Sequence, residues 1–260
     1  VSYLLSFLTV SLIVVSSKWV IAEYHYFNAQ SFLSREKPEM AAAAAMQSIN
    51  NNHWPANYYF IAGSAVLIHG VNSKDEKLIN KSILFLKKAI DISPFSTPAL
   101  LQLAHAYRAI DNKKSINMER KVLEFVLTFD PINVNALAAL TKHLATIGRG
   151  KDAFIIFQRL KNSFEYFKNR DNFGPYHFSV GHVATKVGDY NYAKYVYLDA
   201  INKNPTVKNY ILLGLLEYHQ LNNKNNAILL FKEALLIDPN TPDHEHITSL
   251  INKYESSVGQ

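Results

Sequence analysis

The sequence contains no cysteine, which excludes a disulfide framework, thiolate metal sites and a cysteine nucleophile. Glycine and proline are scarce, with 9 of each in 260 residues, which excludes collagen-like and linker-like chains. Charged residues make up 18% of the chain and hydrophobic residues 48%, a balance typical of an ordered globular protein. The length suits one large domain or two small ones.

Long runs of basic residues are also missing. The net charge of +6 arises from 27 basic and 21 acidic residues, and basic clusters extend no further than pairs such as Lys87-Lys88 and Lys113-Lys114. Proteins that bind nucleic acid usually concentrate Lys and Arg in runs or stripes. We therefore expect no nucleic-acid partner.

Motifs of catalysis and cofactor binding are missing as well. No phosphate-binding or dinucleotide-binding glycine loop, no Gly-x-Ser-x-Gly elbow and no His-Glu-x-x-His zinc motif occurs. His244 and His246 stand two residues apart, so on a helix they would point to different sides. We predict no catalytic residue, no cofactor and no metal site in this chain.

The N-terminal segment is apolar. Residues 1–17 read VSYLLSFLTVSLIVVSS and carry no charge, and residues 1–22 add only Lys18. About 20 apolar helical residues span the hydrocarbon core of a bilayer, and a lysine near the end can reach the headgroups. Trp19, Tyr24 and Tyr26 follow where an interfacial aromatic belt belongs. The segment 1–22 is thus predicted as a transmembrane helix, so that the chain contacts a membrane through these residues.

Two other interpretations of this segment stay open, a cleaved signal peptide and a buried soluble helix. Val20-Ile21-Ala22 resembles a small-residue cleavage site, but no basic region precedes the apolar run. The first residue is Val1 rather than Met, which suggests a fragment, a processed form or an alternative start. A last span of a longer membrane protein would explain the missing basic region.

The remainder reads as helix, without a period-2 strand pattern of useful length. Similar sequences, KKAIDISP, EFVLTFDP, LDAINKNP and KEALLIDP, end at Pro94, Pro131, Pro205 and Pro239. Pro94 and Pro131 are 37 residues apart, and Pro205 and Pro239 are 34 residues apart. A 34-residue period that ends in proline is the signature of tetratricopeptide repeats, which are pairs of helices A and B.

Positions within the repeats resemble this family too. Helix A carries bulky and small residues, a glycine follows at the turn, and helix B carries an Ala–aromatic–Ala pattern. The matching residues of the last two blocks are Gly181, Gly188, Ala193, Tyr197, Ala200, Tyr218, Ala227, Phe231 and Ala234. Weaker blocks begin near Asn57, Thr97 and Val134. We interpret these alanines and aromatics as core, because small residues let helices approach closely.

The predicted fold class is all-α, with the N-terminal transmembrane helix followed by an α-solenoid of about five such hairpins over residues 57–240. Residues 23–56 are predicted to form a degenerate first hairpin, with Pro38 in the first turn of its second helix. Residues 241–260 are predicted as a polar capping helix and tail. The segment KNSFEYFKNRDNF lacks the expected proline, so it either extends a helix B or forms a capping turn.

The resemblance also implies a binding groove, because the concave face of such arrays is lined by helix A residues that do not pack. No Asp or Glu stands among the predicted groove residues, which favours an acidic peptide, an anionic glycan or a lipid headgroup. A generic solvated face is the alternative. The predicted groove residues are Gln102, His105, Arg108, Asn135, Lys142, Phe178, His182, Lys186, Asn209 and His219.

The order of elements resembles a second family. An apolar span runs into AEYHYFNAQ, an Ala-rich helix, INNNHWPANYYFIAG and then repeats, as in the C-terminal part of bacterial O-antigen ligases, polymerases and pilin O-oligosaccharyltransferases. The resemblance implies a non-catalytic accessory region of a membrane glycosyltransferase, in the bacterial inner membrane with a periplasmic repeat domain. Its partner would be a protein or peptide such as a pilin or an assembly factor. The alternative is a stand-alone membrane-anchored scaffold in secretion, pilus or cytochrome assembly.

Overall fold

A computed structural model describes the backbone of residues 2–170 and 174–258 and the side chains of residues 16–170 and 176–256. Thirteen α-helices and no strand occur in this described part, so the prediction of an all-α fold is confirmed. The chain divides into two compact units, residues 1–129 and residues 130–260.

The first unit contains six helices that pack as consecutive pairs. The pair α1–α2 precedes two repeat-like pairs, α3–α4 and α5–α6, in each of which the first helix is helix A and the second is helix B. The helices are α1 Ser2–Ser34, α2 Pro38–Asn51, α3 Ala56–Ser73, α4 Glu76–Ile92, α5 Thr97–Ile110 and α6 Lys113–Phe129.

The second unit contains seven helices. Three helix A–helix B pairs, α7–α8, α9–α10 and α11–α12, are followed by a single terminal helix. They are α7 Val134–Thr146, α8 Gly150–Phe167, α9 Gly174–Val187, α10 Tyr190–Lys203, α11 Val207–His219, α12 Lys224–Ile237 and α13 His244–Val258.

The repeated prolines mark helix ends. Helices α4, α6, α10 and α12 each end two residues before Pro94, Pro131, Pro205 and Pro239, respectively. The residue before a proline is disfavoured in the α conformation, so the helix stops there and the chain turns toward the next pair. The sequence period therefore predicted these four ends correctly.

Small residues of helix A face bulky residues of helix B. A Cβ placed on Gly214 of α11 would lie 2.7 Å from Cε1 of Phe231 on α12, and one placed on Gly181 would overlap the ring of Tyr197 on α10. Phe231 is fully buried and Tyr197 nearly so. The absence of a Cβ at the glycine thus lets the aromatic ring occupy the space between the paired helices.

Glycines also form two of the three turns between helices A and B in the second unit, and Asn222 takes the left-handed conformation in the third. Gly148 and Gly188 have φ angles of 78° and 84°, in the left-handed region that glycine adopts without strain. Asp189 follows Gly188 and caps α10, because its carboxylate accepts from the backbone N–H of Tyr192 at 3.2 Å. The turn at Gly188 is one that the sequence predicted.

Two features of the array concern helix length. Helices α3 and α4 are 18 and 17 residues long, and only Lys74 and Asp75 lie between them. Where the proline is missing, α8 continues to Phe167, so the segment extends helix B. Residues 171–173 of this segment lie outside the described part of the chain.

The N-terminal segment forms one helix, α1, that runs past the predicted end at residue 22 to Ser34. Among the residues that the structure describes, no helix is long and apolar enough to cross a membrane. The predicted span over residues 1–22 is therefore not confirmed, and the side chains of residues 1–15 lie outside the described set. Tyr26 was predicted in an aromatic belt, but its ring packs on that of Tyr58 in α3, with centroids 5.2 Å apart.

The last helix covers the end of the second unit. Tyr254 of α13 stacks on Tyr218 of α11, with ring centroids 3.5 Å apart and planes 11° apart. Ile247 and Ile251 of α13 join the buried cluster around Phe231. Helix α13 thus buries an apolar face that the last repeat would otherwise expose.

The close approach at Gly214 predicts a measurable cost of a single methyl group. We expect Gly214→Ala to lower the free energy of unfolding by about 1–3 kcal/mol relative to Gly150→Ala, since an overfilled core costs that much. Gly150 is the matched control, because no atom lies within 4 Å of a Cβ placed there. Urea unfolding followed by circular dichroism measures the difference, and equal stabilities of the two variants would contradict the close packing.

Candidate functional site

The orientation of α9 is fixed by contacts on its buried side. Nε2 of the buried His177 lies 2.7 Å from Oδ2 of Asp199 on α10, and the His177 ring meets the ring of Phe164 on α8 edge to face at 5.0 Å. Asp199 also accepts from Lys203 Nζ at 2.8 Å. Burial raises the pKa of the Asp199 carboxyl, but the hydrogen bonds from Lys203 and His177 outweigh it and lower this pKa overall.

The opposite side of α9 carries an aromatic pair. The rings of Phe178 and His182, one helical turn apart, stack with centroids 6.1 Å apart and planes 16° apart. Nζ of Lys208, at the start of α11, lies 4.1 Å from the centroid of the Phe178 ring. This distance suits a cation–π contact, which holds the lysine charge beside the aromatic pair.

Two further lysines act on His182. Burial lowers the pKa of the half-buried His182 imidazole, and the positive charges of Lys142 on α7 and Lys186 on α9 lower it further. Both lysines are exposed. We call Lys142, Phe178, His182, Lys186 and Lys208 the basic–aromatic cluster.

Acidic residues are nearly missing from the three helices that carry this cluster. The sequences of α7, α9 and α11 contain one acidic residue, Glu217. Its side chain is buried, and its Oε1 lies 2.8 Å from Nζ of Lys194 on α10. The charge of Glu217 is therefore directed at α10 and leaves the positive charge of the cluster in place.

The predicted groove residues of the first unit lie on α5. Gln102 and Arg108 are half-buried and His105 is exposed. Nη1 of Arg108 lies 3.4 Å from Oε2 of Glu119 on α6. This buried helix B glutamate neutralises part of the charge of Arg108 at the predicted groove.

The remaining predicted residues of the second unit lie apart from the cluster contacts. Asn135 is exposed on α7. Nδ2 of Asn209 donates to the backbone oxygen of Asn204 at 3.1 Å, and Nε2 of His219 lies 3.2 Å from the Tyr254 hydroxyl on α13. Asn209 thus helps to fix the turn before α11, and His219 contacts the terminal helix.

Lys208 was missed by the sequence analysis, which selected its neighbour Asn209 instead. Both residues lie in the first turn of α11. The presence of an exposed aromatic one repeat earlier, Phe178, could have indicated a cationic neighbour at this place.

The arrangement suits the binding of an anionic ligand. Three lysines surround an aromatic pair on helices that are fixed by contacts on their buried sides. Within the described residues, no group of three His, Asp or Glu side chains could hold a metal ion. Lysine ammonium groups attract carboxylates, and the Phe178 ring offers an apolar contact. The cluster can therefore contact an anionic ligand that also has an apolar part.

The proximity of the lysines to His182 predicts a pKa change. Replacing Lys142 or Lys186 by Met should raise the pKa of His182, since each variant removes a positive charge that disfavours the imidazolium. NMR titration of the imidazole measures the pKa, with His182→Gln to assign the resonance. Lys151→Met is the control, because Lys151 does not contribute to this shift; an unchanged pKa in both test variants would contradict the cluster.

Comparison with known proteins agrees with this architecture. Residues 207–241, which contain α11, α12 and Pro239, match the family profile described as tetratricopeptide repeat. No curated protein has significant sequence similarity to the chain.

Solved structures with the same fold are distant in sequence. PilF of Pseudomonas aeruginosa has a TM-score of 0.56 at 11% identity, over 90% of this chain and 99% of that one. PilW, a widely conserved type IV pilus biogenesis factor, has a TM-score of 0.62 at 12% identity, over 88% and 98%. A chain of the APC/C hetero-tetramer Cut9-Hcn1 has a TM-score of 0.64 at 14% identity, over 92% of this chain and 46% of that one. The chain therefore contains a tetratricopeptide repeat and has the helical-hairpin fold of tetratricopeptide-repeat proteins.

Proposed function

We propose that this chain is a protein-interaction module that binds an acidic peptide segment of a partner through the basic–aromatic cluster. The observation that carries the proposal is that Lys142, Lys186 and Lys208 surround the Phe178–His182 pair on helices α7, α9 and α11. All three helices are helix A members of their pairs. Helix A side chains that do not pack are the ones that the tetratricopeptide fold leaves open to ligands.

Electrostatics favours an anionic segment at this site. The charges of Lys142 and Lys186 both lower the pKa of His182, and Nζ of Lys208 lies over the Phe178 ring that stacks on His182. The three charges are therefore grouped around one aromatic pair. A carboxylate placed there gains attraction from each ammonium group. The positive field also raises the rate of encounter with acidic partners.

Aromatic contact favours a peptide rather than a free anion. The Phe178 ring is 38% exposed although Lys208 covers one face of it. An apolar side chain next to an acidic one could pack on this ring while the carboxylate meets the lysines. The helices that carry the cluster are fixed by buried contacts such as His177–Asp199, so little conformational entropy is lost on binding.

Charge reversal tests this assignment. We expect the triple variant Lys142→Glu, Lys186→Glu and Lys208→Glu to weaken binding of a labelled peptide of alternating Glu and Leu by roughly tenfold or more, since each exposed charge pair contributes up to about 1 kcal/mol and reversal makes it repulsive. Fluorescence anisotropy measures the affinity. The same peptide with Lys in place of Glu should not bind the wild-type protein.

The matched control is a triple variant with the same change in net charge, made at lysines away from the cluster. Lys151→Glu, Lys232→Glu and Lys253→Glu replace exposed lysines on α8, α12 and α13. If this control loses as much affinity as the triple variant, the peptide responds to net charge alone and the assignment fails. Circular dichroism of both variants establishes that the helices are intact.

The cellular setting proposed from the sequence has two forms. The chain is either the non-catalytic, membrane-anchored C-terminal region of an O-antigen ligase, polymerase or pilin O-glycosylation protein, or a stand-alone anchored scaffold in secretion, pilus or cytochrome assembly. The likeness to PilF and PilW supports the repeat fold and does not choose between these settings.

The size of the native polypeptide distinguishes the two settings. An antibody against residues 57–260 should detect, in membranes of the source organism, a band far above 29.5 kDa if the chain belongs to a polytopic glycan-transfer protein. A band near 29.5 kDa would instead support the stand-alone scaffold. Fractionation of the same lysate into membrane and soluble parts tests the anchoring.

A further inference from the structure

Helix α1 exposes a broad apolar face. Trp19, Val20, Tyr24 and Phe27 are 56%, 62%, 64% and 62% exposed, and Ile21 is exposed beside them. The opposite side of the helix is packed, since Ala22 and Ala29 are fully buried. An apolar patch of this kind on a protein surface usually marks a contact with another molecule or a membrane.

Trp54 lies in the connection between α2 and α3, and Trp19 lies near the middle of α1, on the side of the unit that carries this connection. Short connections make α1 and α2, and then α2 and α3, antiparallel, so α1 and α3 point the same way. The Tyr58 hydroxyl of α3 donates to Oε1 of Glu23 on α1 at 2.7 Å, which aligns the two helices. Trp19 precedes Glu23 by four residues and Trp54 precedes Tyr58 by four residues, so both stand on the same side of this contact.

Trp54 is not part of the buried core. It is 76% exposed, and its indole stacks only on the neighbouring His53, with centroids 5.2 Å apart, among the ring contacts described for it. His53 is exposed as well. Two water-exposed indoles at one end of a helical unit cost solvation free energy unless that end meets an apolar or interfacial environment.

We propose that this end of the first unit, formed by the exposed face of α1 from Trp19 to Phe27 and by Trp54, lies at the headgroup level of a lipid bilayer. The proposal concerns contact with the membrane interface and does not depend on the basic–aromatic cluster.

Three observations favour lipid over a protein partner. The backbone of residues 2–17 belongs to the same helix α1, and the sequence of these residues is uncharged. Tryptophan and tyrosine are the residues that prefer the interface, because their rings are apolar and their N–H and O–H groups remain hydrated. Lys18 is exposed at the same end and can reach lipid phosphates.

Tryptophan fluorescence tests this placement without a label, because the chain has only these two indoles. The full chain is mixed with phosphatidylcholine–phosphatidylglycerol vesicles that contain lipids brominated near the headgroup or deep in the acyl chains. Trp19→Phe and Trp54→Phe each leave a single reporter. We expect both reporters to shift their emission to shorter wavelength and to be quenched most by bromine near the headgroup.

The behaviour of Trp54 decides the outcome, since Trp54 is outside α1. A response of Trp19 alone would mean that the apolar helix inserts while the hairpin end stays in water, and would overturn the proposal. A spectral shift without vesicles, together with self-association in analytical ultracentrifugation, would identify a second copy of the chain as the occupant and would overturn it too.

Matched substitutions test the apolar face itself. The triple variant Val20→Ser, Tyr24→Ser and Phe27→Ser should lower vesicle partitioning about tenfold or more, because it removes three apolar groups from the contact. Leu84→Ser on α4 is the control, as Leu84 is 69% exposed and lies outside the proposed surface. Equal partitioning of the triple variant and the wild type would contradict the role of this face.

Discussion

The close approach of paired helices at a small residue is the constraint on which the repeats depend. At Gly63, Gly181 and Gly214 a side chain of helix B, from Leu86, Tyr197 and Phe231, occupies the place of the missing Cβ. Because the helix B side chain fills this space, it fixes both the rotation of helix A about its axis and the distance between the two helices. The remaining face of helix A then has no packing role within its own pair.

Fixed rotation explains how neighbouring residues on α9 take different roles. His177 points to the interior, where it contacts Asp199 and Phe164, while Phe178 and His182 stack on the outer side. A helix free to rotate could exchange these faces and lose the stacked pair. The packing at Gly181 and the buried hydrogen bond of His177 prevent this, so the binding surface is a consequence of the core.

The sequence predicted the elements that local chemistry determines. Prolines at the ends of helices B and glycines at left-handed turns follow from single-residue backbone preferences, and they were placed correctly. Helix length is different, because α3 and α8 continue where the stop signal is absent and only packing decides the end. Tyr26 and His219 were assigned to surfaces, but each meets an aromatic ring of a helix distant in sequence, Tyr58 and Tyr254. Such contacts depend on the tertiary arrangement and have no local sequence signal.

Because His182 is half-buried beside Lys142 and Lys186, ligand binding is also coupled to protonation of the His182 imidazole. Because its pKa is lowered, the His182 imidazole is neutral at pH 7. A histidine of the unfolded chain has a pKa of about 6.5, so the unfolded chain binds the proton more readily than the folded chain. His182 therefore makes the free energy of unfolding increase as the pH rises toward about 6.5 and decrease as the pH falls. A bound acidic ligand should raise the pKa of His182 again, because its carboxylate favours the imidazolium. By linkage, binding of the ligand takes up a proton, and affinity for an acidic peptide should increase as the pH is lowered through the titration of His182.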